Sequence, residues 1–171
     1  MRASEEYNII NKFTQKLPVD IKGVIRALGI EYKEAYLDDD ISGMLERIDS
    51  EKFKITVSAT HPYTRKRFTA AHELGHYMNH RNLIGDGIDD TKAYRSKPGG
   101  QYHNTNIGPL EETEANKFAA RALMPANLLG IEYVKSKDVS RLAKMLEVSE
   151  RSLKWRLVNL KLATKSRMGL L

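Results

Sequence analysis

The sequence predicts an α+β fold in which a small antiparallel sheet is combined with several helices. Apolar residues recur every three or four positions towards both ends of the chain, which is the spacing of amphipathic helices. Between these regions, apolar and polar residues alternate, most clearly at Phe53, Ile55 and Val57, as in a half-buried strand. A basic C-terminal part, residues 135–171, is predicted to follow the main domain, residues 1–134, as a helix-turn-helix-like segment.

The individual elements follow from these periodicities and from the turn residues that interrupt them. Strands are predicted within residues 30–32, 41–48 and 53–57. Helices are predicted within residues 4–15, 18–29, 61–80, 109–124 and 127–134, and as a pair within residues 138–162. Ser149 is the expected N-cap of the last helix, because its hydroxyl can accept from a free backbone N–H.

Two predicted features would form a cleft. Residues 84–108 contain five glycines and no sustained period, and a loop of this length in a compact domain usually has a function. We therefore expect this loop to rim or cover a cleft. A strand at the edge of the sheet could line the same cleft and pair with the backbone of a substrate.

Composition limits the possible functions. The chain has 171 residues, a net charge of +6 and no cysteine, so a metal ion could be held only by His, Asp or Glu. Within residues 135–167, ten basic residues face three acidic ones, so the positive charge belongs to the C-terminal segment. The polar N-terminus does not resemble a signal peptide and no apolar run could span a membrane, which favours a cytoplasmic protein.

The pattern with the clearest chemistry is His72-Glu73-Leu74-Gly75-His76, within the helix predicted for residues 61–80. Residues four apart lie on one face of a helix, so the imidazoles of His72 and His76 can bind one zinc ion. Glu73 can then act as the general base that takes a proton from a metal-bound water. The alternative is a pair of ordinary helix histidines with no metal.

A catalytic zinc site normally has a third protein ligand and one open position. The helix that begins near residue 109 offers three carboxylates, those of Glu111, Glu112 and Glu114. Glu111 and Glu114 are three apart and share a face, whereas Glu112 is expected to point elsewhere. We predict Glu114 as the third ligand, with Glu111 in reserve, and we expect His80 to be a solvent-facing helix end.

Two parts of the chain together form a longer motif. The first is Arg67-Phe68-Thr69-Ala70-Ala71-His72-Glu73-Leu74-Gly75-His76-Tyr77, and the second comprises Glu114-Ala115-Asn116-Lys117-Phe118-Ala119-Ala120 and Leu123-Met124-Pro125. This motif resembles the ImmA/IrrE family of zinc metallopeptidases. The resemblance covers most of the chain. It implies a zincin-like metallopeptidase domain of the gluzincin type, with His72, His76 and Glu114 as zinc ligands and Glu73 as general base.

The same resemblance implies a substrate and a biological role. Members of this family cleave a helix-turn-helix repressor, often encoded by the neighbouring gene of a phage or integrated element, and so relieve repression. Two imidazoles and a carboxylate also suit Mn²⁺, so manganese stays an alternative to zinc. Donors for the developing oxyanion could come from Tyr77, Tyr94, Tyr102 or His103.

Two functions of other classes compete with the peptidase. The first is a DNA-binding transcriptional regulator in which Arg151, Lys154 and Arg156 of the last helix contact phosphates or bases. Trp155 and the leucines of that helix are expected to pack against the domain, which argues against it. The second is a non-catalytic protein-interaction module with a structural metal, but Glu73 would then have no role.

Overall fold

The computed structural model describes residues 3–84, 92–94 and 107–170. It contains a four-stranded mixed sheet with the order β1-β3-β2-β4, together with helices on both sides of the strands in sequence. The strands are β1 (Glu31–Ala35), β2 (Gly43–Arg47), β3 (Phe53–Ser58) and β4 (Lys92–Tyr94). The helices are α1 (Ala3–Phe13), α2 (Ile21–Ala27), α3 (Tyr63–His80), α4 (Pro109–Leu123), α5 (Ala126–Lys135), α6 (Val139–Leu146), α7 (Glu150–Asn159) and α8 (Lys165–Met168).

The sheet is antiparallel in two of its three pairings. β2 and β3 form a hairpin in which Leu45 lies opposite Ile55, and β4 pairs antiparallel with β2. β1, however, runs parallel to β3, with Tyr32 beside Ile55, so the prediction of a wholly antiparallel sheet is wrong for this pair. The chain passes from β1 across β3 to β2 and then turns back into β3, so β3 runs in the same direction as β1. A local sequence pattern does not reveal this path.

The edges of the sheet are β1 and β4. β4 lies inside the segment that was predicted to be a loop, so part of residues 84–108 forms a strand, and residues 85–91 and 95–106 lie outside the described residues. Because β4 pairs with β2, β2 lies in the interior of the sheet, where it packs against α3.

Helix α3 is central, because it packs on α4 along one side and on β2 and β3 along the other. Its apolar residues Ala70, Ala71 and Leu74 are fully buried. Leu45 and Ile55 meet them from the sheet, and both are completely inaccessible. Burial of such side chains contributes about 1.5–3 kcal/mol each, so this layer fixes the position of α3.

The C-terminal helices share the same core. Leu142, Leu146, Leu153 and Leu157 are buried in one cluster with residues of α2, α3 and α4. Ser149 caps α7 as predicted, its hydroxyl accepting from the backbone N–H of Ser152 at 3.1 Å. The division into residues 1–134 and 135–171 stays a prediction.

Arg67 of α3 attaches the turn between α6 and α7 to the rest of the chain. Its guanidinium is 6% exposed and donates to the backbone oxygens of Val19 and Glu147 at 2.9 and 3.2 Å. It also lies 3.1 Å from the carboxylate of Glu147. One buried side chain thus joins the entry to α2, the middle of α3 and the C-terminal helix pair.

No helix among the described residues is long and apolar enough to cross a membrane.

Candidate metal centre

Three side chains from two helices bring metal-binding atoms to one point. His72 and His76 come from the middle of α3, and Glu112 comes from the first turns of α4. The two Nε2 atoms lie 3.0 Å apart, and the carboxylate of Glu112 lies 3.3 Å from His72 Nε2 and 3.2 Å from His76 Nε2. Both histidines are buried, whereas the Glu112 side chain is one-third exposed.

These separations fit a tetrahedral ion. Ligand atoms about 2.0–2.2 Å from a tetrahedral zinc ion lie about 3.3–3.6 Å from one another. Of the three observed distances, 3.3 Å lies at the lower end of that range and 3.0 and 3.2 Å lie slightly below it; the two carboxylate distances involve different oxygens of Glu112. Two neutral imidazoles and one carboxylate leave the fourth position open, as in catalytic sites. Glu112 is the one member of this group that is partly exposed to solvent.

Gly75 makes the approach of the two helices possible. A Cβ atom at this position would lie 3.0 Å from Ala115 Cα and 3.1 Å from the Ala115 backbone oxygen. Such contacts are tighter than most real Cβ contacts, so a side chain here would push α4 away from α3 by a few tenths of an ångström. The close approach of another backbone is thus the reason for a mid-helix glycine, which otherwise costs about 1 kcal/mol.

Glu112, and not Glu114, faces the two histidines, which corrects the prediction for the third ligand. The Oε2 atom of Glu114 lies 2.9 Å from His80 Nε2, one helical turn away from the converging atoms. The reserve candidate Glu111 accepts from the backbone N–H of Gly108 at 2.9 Å and caps α4. The prediction failed because the rotation of α4 about its own axis is set by packing at Gly75, which a sequence pattern does not give.

The His80 prediction is also wrong. This residue was expected at a solvent-facing helix end, yet it is only 5% exposed. Its Nδ1 atom lies 3.2 Å from His76 Nδ1, and its Nε2 atom faces Glu114. His80 therefore stands between a candidate ligand and a carboxylate.

His72 has an outer partner of its own. Its Nδ1 atom lies 3.1 Å from the side-chain oxygen of Asn116, which follows Glu112 by one turn of α4. A carbonyl oxygen can only accept, so Nδ1 carries the proton and Nε2 presents a lone pair. The same helix thus provides a carboxylate to the centre and orients one of its imidazoles.

Electrostatics favour an ionised Glu112. In the absence of metal, burial acts to raise the pKa of this carboxyl, but the hydrogen bonds and positive charge that His72 and His76 offer when they are protonated outweigh it and hold the pKa well below its usual range. Glu112 therefore presents a carboxylate across the neutral pH range, which is the protonation state that a divalent cation requires.

Glu73, the predicted general base, lies between the two histidines in the sequence, and its side chain is fully buried. Its side chain lies beside the start of β2, because a Cβ atom on Gly43 would come within 3.6 Å of Glu73 Cγ and within 2.4 Å of Thr69 Cγ2. Gly43 thus allows β2 to lie close against this face of α3.

The candidate oxyanion donors are mostly outside the described residues. Tyr102 and His103 belong to residues 95–106, and only the backbone of Tyr94 is described, within β4. Tyr77 is described, and its hydroxyl donates to a carboxylate oxygen of Glu6 at 3.0 Å. Burial, followed by this contact with Glu6, raises the pKa of Tyr77. Tyr77 therefore joins α1 to α3.

A groove lies between α3, α4 and the C-terminal helices. It has a volume of about 490 Å³, and its lining includes Phe68, Asn116 and Trp155, together with Met124 just after α4. Asn116 connects the groove to the centre, because it also contacts His72. Leu153 and Leu157 of α7 are fully buried, as expected, whereas Trp155 is 38% exposed and lines this groove.

The chain matches the peptidase M78 family, described as the IrrE N-terminal-like domain, over residues 38–158. It belongs to this family. The matched residues include α3, α4 and the converging side chains of the centre. Membership in the peptidase M78 family supports a metallopeptidase and agrees with the resemblance drawn from the sequence.

Among solved structures, the chain is similar to a Mycobacterium tuberculosis transcriptional regulator, with a TM-score of 0.59 and 17% sequence identity. The similarity covers 89% of this chain and 46% of the regulator. This M78 chain thus spans less than half the length of that protein. At this level of identity the likeness shows the fold alone. No match was found among curated proteins.

Proposed function

We propose that this chain is a zinc-dependent endopeptidase that cleaves a helix-turn-helix transcriptional repressor. The observation that carries the hydrolytic part is the convergence of His72, His76 and Glu112, whose metal-binding atoms lie within 4.8 Å of one another, with Glu73 buried on the same helix. We assign the metal ligands to these three residues, with Glu112 in place of the Glu114 that the sequence favoured.

Each residue of the centre has a separate role. His72 and His76 offer neutral Nε2 atoms and Glu112 offers a charged oxygen, which together would hold the ion with one position open. A zinc ion at this position supplies Lewis acidity, both to a water molecule and to the carbonyl of a scissile peptide. Glu73 accepts the proton of the attacking water and passes it to the leaving amine.

The donor set supports zinc, but Mn²⁺ is compatible with two imidazoles and one carboxylate. Elemental analysis of the purified protein decides between the two.

The choice of a repressor as substrate has a different basis. It comes from the ImmA/IrrE resemblance, and a fold shared with a protein described as a transcriptional regulator is compatible with it. The groove beside Asn116 supports a polypeptide substrate, because its apolar lining could hold a side chain next to the scissile bond.

The test combines metal content with cleavage. Wild-type protein should contain about one zinc per chain and should cut the repressor encoded by the neighbouring gene at one bond, which intact-mass measurement identifies. Glu73→Gln should retain zinc and lose cleavage by about 10²–10⁴-fold, because only the proton acceptor is removed. Full cleavage by Glu73→Gln, or a wild-type protein without metal, would contradict the proposal.

A DNA-binding regulator is the second candidate, and the exposed basic residues of the C-terminal segment favour it. Arg141, Lys144, Arg151 and Lys161 are all exposed. Arg156 is less available, because it is half-buried and donates to the backbone oxygen of Met124 at 3.1 Å. If the protein shifts operator DNA with a steep salt dependence, and Arg151→Ala weakens this shift while Glu73→Gln does not, this candidate is preferred.

A further inference from the structure

Beyond the ligands themselves, α3 and α4 hold a row of three side chains behind the metal centre. His76 Nδ1 lies 3.2 Å from His80 Nδ1, and His80 Nε2 lies 2.9 Å from the Oε2 atom of Glu114. His76 and His80 are both buried, and Glu114 forms the outer end of the row at the protein surface.

The direction of each hydrogen bond follows from the atom at its inner end. The Nε2 atom of His76 faces His72 and Glu112, so a neutral His76 that binds metal through Nε2 carries its proton on Nδ1. Its Nδ1–H then donates to His80 Nδ1, which must present a lone pair. A neutral His80 with a lone pair on Nδ1 carries its proton on Nε2.

Glu114 selects that form of His80. A carboxylate can only accept hydrogen bonds, so it holds the proton of His80 on Nε2. With the proton on Nδ1 instead, His80 would point a donor at the Nδ1–H of His76 across 3.2 Å, and the two donors would repel. His76 would then be driven to move its own proton to Nε2, which is the atom required for metal binding.

We propose that His80 and Glu114 are positioning residues that hold His76 in its metal-binding tautomer. The inference rests on the proposed function, since it assumes that His76 is a metal ligand. It assigns a role to the carboxylate that the sequence predicted as a ligand: Glu114 acts on the metal through two imidazoles. The centre is asymmetric, because Asn116 orients His72 directly whereas Glu114 orients His76 through a second ring.

The experiment compares zinc affinity, measured by competition with a chromogenic chelator, between wild type and three variants. Glu114→Ala should weaken zinc binding by about 10-fold, the lower end of the effect of outer partners on metal affinity. Glu114→Gln keeps a carbonyl oxygen that can accept from His80, so its affinity should stay within about threefold of wild type. Glu132→Ala removes a surface carboxylate of α5 and should change nothing.

Nitrogen NMR of the histidine rings gives the readout that a purely structural role would not move. In metal-free and zinc-loaded wild type, His80 should carry its proton on Nε2, and Glu114→Ala should show a mixture of the two His80 tautomers. Zinc affinity in Glu114→Ala equal to wild type, with His80 still protonated on Nε2 alone, overturns the inference.

The two proposals fail in different ways. If wild type and His72→Ala bind zinc equally weakly, the metal centre itself is refuted and this inference falls with it. If wild type binds zinc tightly, His72→Ala does not, and Glu114→Ala behaves as wild type, only the role of His80 and Glu114 is refuted. Thermal unfolding of each metal-free variant establishes that the fold is retained in the comparison.

Discussion

Gly75 and Ala115 touch through their backbones: a Cβ atom built on Gly75 would lie 3.0 Å from the Ala115 Cα atom. This contact sets the distance between α3 and α4, and therefore the distance between the two histidines and Glu112. A side chain at residue 75 has no flexible neighbour that could move aside, since the closest atoms belong to the backbone of α4.

We predict that Gly75→Ala destabilises the protein by about 1–2 kcal/mol, because the strain of overpacking exceeds the gain of about 1 kcal/mol from helix propensity. It should also weaken zinc binding, since α4 must move away from α3. Gly130 of α5 provides the matched control, because a Cβ atom there meets nothing within 4 Å. Gly130→Ala should stabilise by about 0.5–1 kcal/mol. Urea unfolding and chelator competition measure both, and equal effects of the two variants would contradict the contact.

Replacement of Glu111 and Glu112 in α4 should separate their roles. Glu112→Ala removes a proposed ligand and should weaken zinc binding by more than about 100-fold, the upper limit seen for outer partners. Glu111→Ala should leave zinc affinity unchanged and lower the stability of the fold, because Glu111 caps the helix. The comparison requires only metal titration and thermal unfolding. A larger loss of affinity in Glu111→Ala than in Glu112→Ala would contradict Glu112 as the ligand and favour Glu111, the reserve candidate from the sequence.

Acid should weaken the contact between α2, β1 and α3 at Glu34. Hydrogen bonds from Lys22, Lys66 and Tyr32, at 2.6, 2.7 and 3.1 Å, lower the pKa of Glu34 from 4.5 to about 2. The folded-state pKa lies below the unfolded one, so the ionised carboxylate contributes its full stability above about pH 4.5. This contribution, about 2 kcal/mol after allowance for partial exposure, should be lost as the pH falls towards 2.

The measurement for Glu34 is the difference in unfolding free energy between wild type and Glu34→Gln, followed from pH 7 downwards. We expect a constant difference at neutral pH that shrinks below pH 4.5. Glu51, an exposed residue in the turn between β2 and β3, is a suitable control when changed to Gln. A difference that does not change with pH would exclude an ionised Glu34 as the source of the stability.

Removal of the Arg67 guanidinium should loosen the C-terminal helices. Arg67→Met would leave the backbone oxygen of Val19 without its donor in a buried position, along with the carboxylate of Glu147. We expect a loss of about 2–4 kcal/mol, since a buried charged donor is lost and its acceptors remain. Lys117→Met changes an exposed cation of α4 and should have little effect. Hydrogen exchange should show faster exchange in α6 and α7 of Arg67→Met, and unchanged protection there would refute the attachment.

The sequence predicted the secondary structure well because its periodicities are local. The spacing of His72 and His76, the alternation at Phe53 and Ile55, and the cap at Ser149 each depend on neighbours within a few residues. The parallel pairing of β1 with β3 was missed because it depends on the path of the chain between distant segments. The family match over residues 38–158 was anticipated from the two-part motif.

The site was only partly predictable for a related reason. The two histidines lie on one helix, so their convergence follows from helix geometry, whereas the third donor comes from α4 and depends on how that helix is rotated. Glu112 and Glu114 are two residues apart and face directions about 200° apart on a helix. His80 continues the four-residue spacing of His72 and His76, but it was predicted to be exposed because it lies at the end of the helix. The structure buries it instead.

Because Glu112 lies on a different helix from the two histidines, an ion bound by all three would cross-link distant parts of the chain. Zinc that binds the folded protein alone adds stability by mass action, about 2.7 kcal/mol when free zinc is 100 times its dissociation constant. The lifetime of this protein against unfolding and degradation would then follow the zinc concentration around it. A metal centre placed across two helices thus links how long the protein survives to whether it can act.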